Sequence, residues 1–174
     1  MLMAASAAQM YDDNHYLKFL IANGGDVNAV SKAENTMVRT PLIAASQYKL
    51  ENVKLLIAAG ANPNYTYRYN DKDSTITSAL SAAALMDNID VVNYLIFEQG
   101  IDYNTLTKPS FKKGGEPWTI ANSLRHMVFP LGSEKYQQKM KLVNYLKEHG
   151  IDYWKTAIPK IYYKNYDSTY LSKY

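Results

Sequence analysis

Side chains that move protons or bind metals near neutral pH are few in this 174-residue chain: three histidines and no cysteine. His15, His126 and His149 each lack a second histidine three or four residues away, the spacing that sets two ligands on one helical face, so no metal site is expected. His149 stands one residue before Gly150, where an imidazolium would complement the negative end of a helix. Ser46-x-x-Lys49 and Ser110-x-x-Lys113 have the spacing of a serine nucleophile beside a lysine base, which is acyl-transfer chemistry. The companion motifs of that pattern are missing, so neither serine is assigned as catalytic. No GxxxxGK[ST] loop is present to cradle a phosphate, and no GxGxxG follows a strand. The reading is therefore of a protein that is not an enzyme and needs no cofactor. The sequon Asn64-Tyr65-Thr66 overlaps a turn asparagine and is read as structural.

What remains for chemistry is surface recognition. The chain carries 16 tyrosines, and many fall outside any stripe that a core would need. Tyrosine with arginine is the pairing enriched at binding hot spots, because it gives large contact area, a polar handle and little side-chain entropy to lose. Tyr65, Tyr67, Arg68 and Tyr69 alternate aromatic and polar residues, and this suits a projecting two-stranded hairpin with Asn70 to Asp73 at its tip. Further along, Pro109 to Gly115 reads as a flexible loop.

The elements that must hold these residues are clearest between Thr40 and Asn64. Thr40 is placed to cap a short helix that opens on Pro41, where a missing N–H costs nothing. After a break near Tyr48 to Leu50, Val53, Leu56 and Ile57 recur at helical spacing, and Gly60 supplies a left-handed stop. The chain repeats this unit. Gly24-Gly25-Asp26-Val27-Asn28, Gly60-Ala61-Asn62-Pro63-Asn64, Gly100-Ile101-Asp102-Tyr103-Asn104 and Gly150-Ile151-Asp152-Tyr153-Trp154 are versions of one turn. A similar second helix precedes each, at Leu17-Lys18-Phe19-Leu20, Val53-Lys54-Leu55-Leu56, Val92-Asn93-Tyr94-Leu95 and Val143-Asn144-Tyr145-Leu146. Asp26, Asn62, Asp102 and Asp152 are expected to bond turn amides. Leu17, Leu20, Leu42, Val53, Leu56, Leu80, Val92, Leu95, Val143 and Leu146 are expected to form the buried stripe.

These residues resemble the ankyrin repeat, whose pattern runs Thr-Pro-Leu-His, Ala-Ala, a turn, a Val-rich second helix and Gly-Ala-Asp-x-Asn. Thr40-Pro41-Leu42 is the best first-helix match, Ser78-Ala79-Leu80 a looser one, and Pro117-Trp118 followed by Ala121 is degenerate. Ile43, Ser81 and Thr119 stand where the family has histidine. The resemblance implies an all-α fold, an ankyrin-repeat solenoid of stacked antiparallel helix pairs with extended hairpin-like finger loops. Repeats are expected at about 1–39, 40–77, 78–115 and 116–154, the last with Pro130 to Ser133 at its inner turn and Ser133 as an N-cap. Leu2-Met3-Ala4-Ala5-Ser6 superimposes on Leu42 to Ser46, so the chain begins inside a repeat and the natural protein is expected to extend upstream. Residues 155–174, rich in Tyr and Lys and broken by Ile158-Pro159, are expected to form a C-terminal cap or tail.

The resemblance also implies a non-catalytic module that binds another protein through its concave face and fingers. Tyr65, Tyr67, Arg68, Tyr69 and Tyr103 are assigned to that surface, with Phe111, Lys112 and Trp118 on the next finger and helix. Gln47, Tyr48, Leu85 and Met86 occupy the ends of first helices that line the groove in ankyrin proteins. Abundant Lys, Asn, Ile and Tyr fit an AT-rich bacterial gene, and a toxin or effector is a candidate partner, the chain being its inhibitor or immunity protein.

Charge bears on the alternative. Residues 1–153 carry 15 Lys and Arg against 15 Asp and Glu, so the net +3 sits in the tail, at Lys155, Lys160, Lys164 and Lys173 against Asp167. A balanced body argues against a broad nucleic-acid footprint, leaving single-strand binding by the basic, aromatic tail as the second reading. No apolar run approaches the roughly 18 residues that span a bilayer and no signal segment is visible, so a soluble monomer of cytoplasm or periplasm is expected.

Overall fold

The computed structural model describes residues 14–31, 39–68, 76–106 and 118–174. Its contacts group into two units, residues 1–102 and 103–174. The first-helix residues Leu2 to Ser6, the hairpin tip with Tyr69, and the loop carrying Phe111 and Lys112 lie outside the described residues.

The first unit is built from helix pairs. Helix α1 spans His15–Ala22, α2 Pro41–Ser46 and α3 Leu50–Ala58. Strands β1 Thr66–Arg68 and β2 Ile76–Ser78 lead to α4 Ala79–Leu85 and α5 Ile89–Asn93. A helix of six residues such as α2 cannot hold itself in water. It is fixed by its cap, Thr40 Oγ1 accepting from the Ile43 N–H at 3.2 Å, and by burial of every residue from Pro41 to Ser46 against α3 and α4. Leu42, Val53, Leu56, Leu80, Val92 and Leu95 are at most 1% exposed, so the expected stripe is the core. Leu20 and Ile57 are only half-buried.

The turns close alike. Gly60 has φ +90°, a region that a side chain would strain, and the Ala61 N–H then donates back to Leu56 O at 2.9 Å. Asp26 and Asn62 each accept from the amide two residues on, at 2.9 Å. Asn28 joins neighbouring turns, donating to Gly60 O at 3.0 Å and accepting from Asn62 N–H at 2.8 Å. The third turn differs. Its second helix passes from α5 into a π-helical turn, Tyr94–Glu98, and the closing bond from Ile101 N–H to Leu95 O spans six residues instead of five.

The second unit opens with a 3₁₀ turn, Tyr103–Leu106, followed by α6 Ile120–His126 and α7 Glu134–Glu148. Ser133 caps α7, accepting from the Tyr136 N–H at 3.2 Å. The expected register of the first helix needs correction. Thr119 is the N-cap, in the position of Thr40, so Ile120 and not Trp118 begins the helical turn. Asn122, not Thr119, therefore stands in the family's histidine position. Its Oδ1 accepts from the Thr119 N–H at 2.7 Å, as Ser81 Oγ accepts from the Ser78 N–H at 2.8 Å. Both replacements close their own helix start instead of reaching a neighbour.

Residues 155–174 fold back onto α6 and α7. A 3₁₀ turn Tyr153–Lys155 precedes α8 Tyr162–Asn165 and α9 Ser168–Lys173. Tyr162, Tyr170 and Tyr174 donate their hydroxyls to the carbonyls of His126, Phe129 and Arg125 at 2.9, 2.8 and 2.8 Å. Among the described residues no helix is long and apolar enough to cross a membrane.

Candidate protein-binding surface

The Tyr-rich finger is a hairpin at its base. Thr66 pairs with Ser78, Tyr67 with Thr77 and Arg68 with Ile76, antiparallel. Alternation along β1 sends Tyr67 to the face opposite Thr66. Tyr65 and Tyr67 are half-buried, so each keeps part of its ring for a partner. Ser78 ends β2 and caps α4, which ties the finger to the first helix of its repeat without a linker.

Two inner turns meet at the other end of α4 from this finger. Asn88 Nδ2 donates to Ser46 O at 3.3 Å and to Tyr48 O at 3.2 Å, drawing the turn after α4 onto the turn after α2. Counting from the caps Thr40 and Ser78, Leu85 stands where Gln47 does and Met86 where Tyr48 does. Gln47 and Tyr48 are half-buried, while Leu85 is 71% and Met86 48% exposed. Two consecutive large apolar side chains left in water cost roughly 25 cal/mol for each Å² of apolar surface. In this turn Asp87 has φ +53°, which aspartate tolerates better than most residues.

Sequence reasoning missed Arg39 on this surface. Arg39 pairs its backbone with Ser31 across the base of the first finger, accepting at 2.9 Å and donating to Ser31 Oγ at 3.0 Å. Its Nη1 donates to Gln47 Oε1 at 3.4 Å. Its position one residue before a capping Thr was the available signal.

The assigned residues of the second unit are less free. Tyr103 is half-buried, with its ring edge-on to Tyr145 at 6.3 Å. Trp118 precedes the cap and does not lie on a helix; its Nε1 donates to Ser123 Oγ at 3.2 Å and its ring lies 5.2 Å from His126. His149 packs on Tyr145 with centroids 4.1 Å apart and bonds Tyr145 O, which is a helix-end role.

Two buried cations also escaped the sequence reading. Arg125 is 3% and Lys139 0% exposed. Arg125 donates to Thr156 O at 3.1 Å, Tyr153 O at 3.2 Å and Tyr174 O, and lies over the Tyr153 ring at 4.0 Å. Lys139 donates to Met127 O at 3.1 Å and sits 3.6 Å from the Tyr174 ring centre. Carbonyls and ring faces thus receive both charges. Burial pushes the Tyr153 phenol well above its ordinary range, against the pull of Arg125. Tyr94 is raised as well, by burial and then by Glu98. Among the described residues no group of three or more His, Asp or Glu could hold a metal.

Compared with known proteins, residues 2–107 match the family model described as ankyrin repeats, in three copies. No curated protein matches the chain.

Proposed function

The chain belongs to the ankyrin-repeat family, and on that premise we propose that it is a non-catalytic module, acting as a monomer, that grips a protein partner with the hairpin of Thr66–Arg68 and Ile76–Ser78 and the two inner turns that Asn88 joins. Members of this family serve in general to bind other proteins. The observation that carries the reading is the exposure of Leu85 and Met86 on the inner turn that Asn88 ties to Tyr48. Apolar anchors ringed by Tyr, Gln and Arg form a composition suited to an interface core with a polar rim. Tyr65, Tyr67, Arg68, Gln47, Tyr48, Leu85 and Met86 make up this surface, with Tyr69 on the same finger. Tyr103, Phe111, Lys112 and Trp118, which belong to the second unit, are a separate contact set.

For the partner we favour a toxin or effector that the chain neutralises as an inhibitor or immunity protein, a reading supported by the AT-rich bacterial character of the composition. Co-expression with a toxin encoded beside this gene tests it. Wild-type chain should restore growth, and the double variant Leu85→Asp/Met86→Asp should lose the protection while remaining folded. Protection that survives this variant together with Tyr67→Ala and Arg68→Glu would overturn the surface.

A further inference from the structure

Dividing the charges by unit changes the electrostatic picture. Residues 103–174 carry 12 Lys and Arg against five Asp and Glu, a net of +7, whereas residues 1–102 carry seven against 11, a net of −4. A field of that sign draws anionic partners to the second unit before any contact forms.

On that unit the turn from Lys160 through Lys164 is two-sided. It is wound tightly, with Tyr162 N–H donating to Pro159 O at 2.9 Å and Lys164 N–H to Ile161 O at 3.2 Å. Tyr162 faces inward, bonding His126 O and packing edge-on to Tyr174 at 6.0 Å. The other four residues face out. Ile161 is 61% and Tyr163 63% exposed, and Lys160 and Lys164 are exposed beside them. Residues three and four apart are neighbours on such a turn, which places both ammonium groups around the isoleucine and the tyrosine. Lys155 is held by Asp152 at 3.6 Å; among the described residues neither Lys160 nor Lys164 has an ion-pair partner.

We propose that the outer side of the turn Lys160–Lys164 is a second docking surface, which takes an acidic protein segment carrying apolar side chains. The chemistry selects this occupant over other anions. A single-stranded nucleic acid needs open ring faces to stack on, and the tail's rings are mostly stacked on each other, Tyr166 on Tyr170 at 4.7 Å and Tyr170 on Tyr174 at 5.6 Å. A membrane surface needs a long amphipathic helix, and α8 has four residues. An aliphatic and an aromatic side chain between two lysines instead match a peptide that offers carboxylates flanking an apolar anchor. This surface shares no residue with the finger and inner turns, and so the two assignments stand or fall separately.

The test titrates the full chain with a short synthetic peptide alternating Glu and Phe, at low salt and at about 0.15 M salt. Lys160→Glu/Lys164→Glu and Ile161→Ser/Tyr163→Ser should each weaken binding about tenfold, with circular dichroism unchanged because all four side chains are exposed. Lys141→Glu/Lys147→Glu, an equal charge change on exposed residues of α7, should weaken it less than about threefold, and Leu85→Asp/Met86→Asp should leave it unaltered. The proposal is overturned by absence of peptide binding, by equal loss in the α7 control, or by an oligothymidylate or phosphatidylserine vesicle that binds more tightly through the same four residues.

Discussion

Asn52 is 1% exposed on α3, and neither its amide nitrogen nor its oxygen finds a hydrogen-bond partner. The residues in the same place before Val92 and Val143 are Val91 and Leu142, both fully buried. Stranding a polar amide costs about 1–3 kcal/mol, and leucine fits nearly the same volume and is the better helix former. Asn52→Leu should therefore stabilise the first unit by about 1–2 kcal/mol, read as a rise in urea midpoint with unchanged slope. Tyr153 is the counterpart in the second unit: its hydroxyl is buried without a partner, the Arg125 guanidinium lying over the ring face. Tyr153→Phe should gain about 1 kcal/mol at neutral pH. The phenol is raised in the folded state above its ordinary 10.0, so its stabilising share is complete below pH 10. Above that, the unfolded chain gives up the proton while the folded chain keeps it, and stability falls as pH rises. Urea midpoints followed from neutral pH to about pH 11 should decline less steeply for Tyr153→Phe than for wild type. An identical decline would place the alkaline weakness elsewhere, Tyr94 and Tyr170 being raised in the same sense.

The π-helical turn Tyr94–Glu98 is a one-residue insertion made visible. From the second-helix Leu or Val to the turn glycine the count is seven for Leu17 to Gly24, Val53 to Gly60 and Val143 to Gly150, but eight for Val92 to Gly100. A helix that kept α-spacing would rotate the glycine about 100° out of place; a π turn widens one ring and keeps both Leu95 and Gly100 in position. Aligning Val-Asn-Tyr-Leu-Ile-Phe-Glu-Gln-Gly with Val-Lys-Leu-Leu-Ile-Ala-Ala-Gly sets the extra residue among Phe97, Glu98 and Gln99. Deleting Phe97 should thus leave the unit folded within about 1 kcal/mol, whereas deleting Leu55 should unfold it by turning Leu56 off the core. Thermal unfolding of the two deletions separates the cases. The same counting explains what was legible in the residues. Thr40, Pro41, Gly60 and the Asx residues act within a few positions of themselves, so their roles could be read locally. Thr119 could not be placed, because Pro117-Trp118 imitates the Pro-Leu that follows Thr40, and only the bond from Thr119 to Asn122 fixes the register. Of the proposed surface, the hairpin could be read from alternation, but a tip at Asn70 to Asp73 would set Tyr67 opposite Ile76 where the structure pairs it with Thr77, and the junction of the two inner turns depends on Asn88, whose partners lie 40 and 42 residues away.

A repeat array must end, and its last stacking face must meet something other than another repeat. In the second unit that face carries Arg125, which stands at the position of Ser46 and Ala84, and Lys139, at the position of Lys49 and Asn88. A further repeat offers little to two cations in an apolar seam. The tail offers carbonyls from Tyr153, Thr156 and Tyr174 and the ring faces of Tyr153 and Tyr174. Tyr174 is fully buried and Leu171 is 6% exposed, so the segment is core as well as cover. This arrangement occupies most of the tail's rings and leaves the outer side of the turn Lys160–Lys164 facing solvent. Removing residues 158–174 would expose both cations and forfeit the burial of two large side chains worth about 2–3 kcal/mol each, a loss comparable with the whole stability of a small domain. Hydrogen exchange on the shortened chain should show protection lost through α6 and α7 while α2, α3 and α4 keep theirs. If α7 stays protected without the tail, the segment is an appendage and the buried cations must find their partners within residues 118–157.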